Sequence, residues 1–86
     1  SGANFEKAEL DGARFDGATC DGANFHVASL NDSSFRGANL KKAMLKQAKL
    51  NGANLEGADL TEADLSGAIA ERSCWIHAKL DHAMLK

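Results

Sequence analysis

The side chains best suited to chemistry in this chain are Cys74, His77 and His82, which lie close together near one end, and carboxylates such as Asp59 and Asp64. Cysteine and histidine together would suit a zinc ion, yet the spacing of these three matches no established zinc pattern. Paired carboxylates suit acid–base work only where a concave, water-poor site brings them against a reacting group. Two cysteines, Cys20 and Cys74, are too few to staple a small fold. Asn31-Asp32-Ser33 has the form of a glycosylation sequon but follows no secretory signal. What any of these residues can do therefore depends on how the chain positions them.

The positioning rule is a period of five. Every fifth residue from Phe5 to Leu85 is apolar, 17 positions in all, and two residues before each stands a column of 15 Ala and two Ser, Ser33 and Ser73. All 8 glycines share one register, two residues after an apolar centre. Such a period overrides local propensity. On an α-helix a five-residue step turns the apolar position by ~140°, so the centres would spiral around the cylinder and leave no buried face. In an extended segment residues two apart share a face, so the small residue and the large centre point inward with an outward residue between them. The two residues that follow must then turn the chain, and a recurrent glycine marks the corner where positive φ is needed. Each pentapeptide becomes one edge and one corner of a coil.

Ala38-Asn39-Leu40, Ala53-Asn54-Leu55, Ala58-Asp59-Leu60, Ala63-Asp64-Leu65, Ala3-Asn4-Phe5 and Ala23-Asn24-Phe25 carry a closer likeness. They resemble the A(N/D)LXX pattern of the pentapeptide-repeat family, and the resemblance covers the whole chain. It implies an all-β fold, a right-handed quadrilateral β-helix of about four coils of 20 residues, forming one solenoid domain over residues 1–86. At the 20-residue offset Asp16–Arg36, Arg36–Glu56, Asp21–Lys41, Lys42–Glu62 and Asp59–Lys79 are all opposite charges with no like pair, which is consistent with four sides per coil. Offsets of 15 and 25 also give five opposite pairs each, with two and one like pairs respectively. In such a coil His77 and His82 sit at successive corners and point apart, and Cys20 is an inward filler that does not meet outward Cys74. No catalytic, cofactor-binding or metal-binding residue is assigned, and no enzyme activity and no cofactor are expected.

The pattern loosens over residues 68–77. Ala70 replaces a large centre, Trp75 is oversized for one, and Ile69 and Ile76 take outward positions. An irregular coil is the simplest expectation, with small Ala70 making room for Trp75; a short helix from about Ile69 is the alternative, opposed by the return of the register at Ala78-Lys79-Leu80. Ile69, Trp75, Ile76 and Leu85 form the candidate interaction surface, because clustered outward apolar residues usually meet a partner. Nothing before Phe5 or after Leu85 reads as a cap, so an end-to-end homodimer is expected, in line with a tendency of the family.

The net charge of −2 and the absence of a basic tract point away from nucleic acid and anionic membranes as partners, and no apolar run is long enough to span a bilayer. Without a visible targeting segment the default compartment is the cytoplasm. The expected function is a non-enzymatic structural or protein-interaction module whose partner is a protein. The alternative, implied by the resemblance, is a DNA-mimicking modulator of a type II topoisomerase such as gyrase, of the kind that protects against quinolones. That role needs a long acidic rod, whereas Arg36, Lys41, Lys42, Lys46 and Lys49 place a basic belt at the middle of this one.

Overall fold

The computed structural model describes residues 2–85. Each outward residue pairs in parallel with the residue 20 positions on, from Asn4 with Asn24 to Asp64 with Met84. The chain therefore winds as a four-sided coil, with turns over residues 3–22, 23–42, 43–62 and 63–82 and the start of a fifth at 83–85. The first face carries Asn4, Asn24, Met44, Asp64 and Met84 outward. The second carries Glu9, Ser29, Lys49 and Ile69, the third Arg14, Ser34, Asn54 and Cys74, and the fourth Thr19, Asn39, Asp59 and Lys79.

Backbone hydrogen bonds account for the stacking. Within one repeat, Phe25 N–H donates to the Met44 carbonyl at 2.7 Å, Met44 N–H reaches back to the Ala23 carbonyl at 2.8 Å, and Val27 N–H donates to the Lys46 carbonyl at 2.9 Å. The corner closes on itself, Ala28 N–H donating to the Phe25 carbonyl at 3.0 Å. That 4→1 bond, with positive φ at the third residue, is the signature of a type II turn. The third residue has φ between 57° and 76° at every corner, whether it is glycine or, as at Val27, Lys42 and Glu62, a residue with a Cβ. Cross-coil bonding fixes a geometry that local preference opposes at the non-glycine corners.

The interior is the set of fifth residues and their small partners. Phe25, Leu30, Phe35, Leu40, Leu45, Leu50, Leu55 and Leu60 are fully buried, as are most of the alanines between them. Four phenylalanines lie in the first two coils: Phe5 stacks on Phe25 at 5.0 Å and Phe15 on Phe35 at 4.8 Å, while rings from the opposite first and third faces meet edge to face. Edge-to-face and offset stacked pairs suit the ring quadrupole. Ser33, in the alanine column, is buried and donates its hydroxyl to the Leu30 carbonyl at 2.7 Å, so its polarity is satisfied.

Residues 68–77 stay in register. Lys49 pairs with Ile69, Asn54 with Cys74 and Asp59 with Lys79, so the helical alternative is not what forms. Trp75 is accommodated as an inward residue above Leu55, and its indole N–H donates to Ser73 Oγ at 2.5 Å, which in turn donates to the Ala70 carbonyl at 2.7 Å. The second Ser of the small column thus gives the oversized side chain a polar partner.

Candidate interaction faces

In the backbone scheme above, one donor per repeat has no backbone acceptor: the N–H of the first corner residue. Asparagine and aspartate satisfy it in two ways. On the faces, the outward residue two positions earlier folds its side chain over the corner, as Asn24 Oδ1 does for His26 N–H at 2.9 Å, Asn54 for Glu56 at 3.0 Å and Asp64 for Ser66 at 2.9 Å. This is an Asx turn. At the corner after the second face, a ladder does the same work between coils: Asp11 accepts from Asn31 N–H at 2.9 Å, Asn31 from Asn51 at 3.1 Å, and Asn51 from Glu71 at 2.9 Å. At the next corner Asp16 accepts from Arg36 N–H at 2.9 Å and from the Ser34 hydroxyl. Sequence reasoning missed these contacts; their signal is an Asn or Asp either two places before the first corner residue or at that corner position itself, 20 residues before the N–H it accepts.

These contacts set the electrostatics. The hydroxyl of Ser34, then the backbone N–H of Arg36, hold the Asp16 carboxyl below the ordinary aspartate range. Asp59 is lowered chiefly by the Thr61 hydroxyl, which donates to it at 2.5 Å, with Lys41 and Lys79 adding to the effect. Burial pushes the Cys20 thiol up. Of the charge pairs expected at the 20-residue offset, Arg36 and Glu56 meet at 3.5 Å, whereas Lys41 turns to Asp59 at 3.8 Å and Asp16 takes the Arg36 backbone. Such exposed pairs each contribute roughly 0–1 kcal/mol.

The remaining candidates are distributed around the coil. Ile69 lies on the second face, Ile76 at the corner after the third, and Leu85 over the first-face column; they are 47%, 58% and 63% exposed, while Trp75 points inward and is half-buried. They ring the last coil and do not merge into one flat patch. His77 and His82 occupy successive corners, Cys74 faces outward from the third face, and both cysteines are free. Among the described residues no group of three or more His, Cys, Asp or Glu is placed to hold a metal ion. The sequon's Ser33 is interior. The basic residues Arg36, Lys41, Lys42, Lys46 and Lys49 are all exposed and wrap three sides of the block.

Concavity is slight. One open depression follows the corner after the third face, lined by Asp16, Arg36, Gly37, Glu56, Gly57 and His77. It exists because successive glycines remove the side chains there: a Cβ on Gly57 would touch only the Gly37 backbone, at 3.8 Å. The arrangement offers a grid of outward side chains, about 4.8 Å apart along each face. No helix among the described residues is long and apolar enough to cross a membrane.

Comparison with known proteins agrees with this geometry. The family model for pentapeptide repeats matches in 8 copies, at residues 1–32, 8–47, 18–57 and 43–74. Among solved structures the chain is similar to alr5209, a pentapeptide repeat protein from Nostoc PCC 7120, with 29% identity and a TM-score of 0.72, covering 100% of this chain and 63% of that one. It is similar to Rfr23, a pentapeptide repeat protein from the cyanobacterium Cyanothece 51142, with 30% identity and a TM-score of 0.72, covering 99% of this chain and 62% of that one. The plasmid-mediated fluoroquinolone resistance protein QnrB1 shares the fold, at 22% identity and a TM-score of 0.74 over 95% of this chain and 55% of that one. The chain thus spans less than two thirds of these relatives. No curated protein matches it. With the repeat model matched from residue 1 to residue 74 and the same coil in solved relatives, the chain belongs to the pentapeptide repeat family and folds as a right-handed quadrilateral β-helix.

Proposed function

We propose that this chain is a non-enzymatic interaction module that presents rigid side-chain grids to a protein partner. The observation that carries the reading is the independence of surface from scaffold: the second face runs Glu9, Ser29, Lys49, Ile69 outward on one unchanging ladder. On this face the corner N–H groups are satisfied by Asp11, Asn31 and Asn51 and not by the outward residues, which leaves the outward positions free to encode a partner. The slight concavity along the glycine corner supports a binding role over catalysis, which needs converging groups shielded from water. Self-association end to end is part of the same proposal, supported by the half-open side chains of Trp75 and Leu80 and the exposed Leu85 in the last layer.

The test uses four variants, each replacing the outward residues of one face with serine, together with the unaltered chain, in cross-linking and capture from cell extract. Loss of the same captured protein with one face only, with every variant still folded at the assay temperature by circular dichroism, supports the module. A captured set insensitive to all four variants overturns it. Sedimentation across micromolar concentrations reads self-association, and a strictly monomeric species removes that part. A gyrase supercoiling assay separates the topoisomerase reading, for which the exposed basic belt is the adverse observation.

A further inference from the structure

Asn51-Gly52 is a dipeptide prone to a spontaneous reaction. In a flexible chain, the amide nitrogen of a glycine following asparagine attacks the asparagine Cγ. A C–N bond forms, the side-chain amide leaves as ammonia, and water then opens the cyclic imide at either carbonyl to give aspartate or isoaspartate. Glycine favours the attack because it has no side chain in the way. Among the described residues, Asn51 is the only asparagine that precedes a glycine.

Here the fourth coil holds both reacting groups. Glu71 N–H donates to Asn51 Oδ1 at 2.9 Å, and Gly52 N–H donates to the Glu71 carbonyl at 2.8 Å. One residue of the next coil therefore pins the electrophile and occupies the nucleophile. The same clamp recurs at Asp11-Gly12, where Asn31 supplies both groups, and at Asp16-Gly17, where Arg36 does. Asn51 differs in that its clamp belongs to the coil that departs most from the repeat, with Ala70 and Trp75 as centres and six of its eight small and large inward residues only partly buried. Local opening is easiest where buried apolar contact is least.

We propose that Asn51 is a spontaneous deamidation site gated by the fourth coil: silent while Glu71 holds it and reactive when that coil lifts. The two products differ in consequence. Aspartate retains the ladder acceptor, as Asp11 shows at the equivalent place two coils earlier. Isoaspartate routes the main chain through Cβ and adds a backbone atom to a corner whose register tolerates none, so its formation would lock the coil open.

The experiment incubates the native chain, the urea-unfolded chain and Glu71→Pro at mildly alkaline pH, reading the one-dalton gain on the peptide containing Asn51 and its isoaspartate content by mass spectrometry. Proline suits the second position of a type II turn while deleting the N–H that holds Asn51. Two hydrogen bonds of ordinary net strength correspond to a native rate on the order of thirtyfold below the unfolded one. Glu71→Pro, with its coil retained by circular dichroism, is expected to react several-fold faster than the native chain. A second pair keeps the test independent of that variant: Trp75→Ala, which thins the fourth coil, accelerates the reaction, and Phe5→Ala, at the far end, does not. A native rate equal to the unfolded rate, or acceleration by Phe5→Ala equal to that by Trp75→Ala, overturns the proposal.

Discussion

The rings of Phe15 and Phe35 stack one coil apart, with centroids 4.8 Å from each other and planes 5° from parallel. Phe35 also meets the edge of Phe25 at 5.8 Å and is fully buried, so it is gripped from below and from the side. Phe35→Ala is expected to cost about 3–5 kcal/mol in urea denaturation. Phe5→Ala, in a partly open end layer, should cost clearly less, and equal losses would contradict the stacked-layer account.

Val27 shows what the ladder imposes on the corners. A β-branched residue sits at φ 61° because its N–H is bound to the next coil, although the residue is 40% exposed. Left-handed backbone costs a residue with a Cβ about 1–2 kcal/mol, and glycine gives back about 0.4–1 kcal/mol through the unfolded chain. Val27→Gly is therefore expected to stabilise the fold by about 0.5–1 kcal/mol in thermal or urea melts. Gly37→Ala, where the added Cβ meets nothing within 4 Å, isolates the φ effect and should lower stability.

The side chains over the corners can be tested one at a time. Asn54→Ala removes the acceptor of Glu56 N–H, for a loss of about 1 kcal/mol, whereas Asn54→Asp should be nearly neutral because Asp59 and Asp64 serve the same position.

Acid sensitivity follows from the same contacts. Asp16 and Asp59 titrate below the ordinary aspartate range in the folded protein, so the unfolded chain takes up their protons first as pH falls. Their stabilisation is full above about pH 4 and is lost as pH drops through the lower folded values. Asp59→Asn should keep the turn and flatten this acid limb of the melting temperature; an unchanged limb in an Asp16→Asn, Asp59→Asn double variant would refute the assignment.

Thiol labelling distinguishes inside from outside. Cys20 is buried and its thiol is held up by burial, while Cys74 faces outward on the third face. A water-soluble disulfide reagent should modify Cys74 in the native chain and Cys20 only on unfolding. Two thiols reacting at one rate would place Cys20 outside the core.

The five-residue spacing alone determined that Phe35 and Leu50 face inward, that the alanines pack beside them, and that Gly37 and Gly57 turn the chain, because each of these is a local consequence of extended and turn geometry. It equally ruled out a regular helix. How many edges close one coil is not local, since every offset that is a multiple of five keeps the apolar centres aligned; only the pairing of Asn24 with Met44 and its equivalents decides for 20. Tertiary stacking also chose among partners that share a surface. It turned Lys41 toward Asp59, gave Asp16 to the Arg36 backbone, kept Trp75 inside with Ser73 as its acceptor, and spread Ile69, Ile76 and Leu85 around the last coil. An orphan N–H at each corner and an Asn or Asp within reach of it become a single interaction only when the coils are in place.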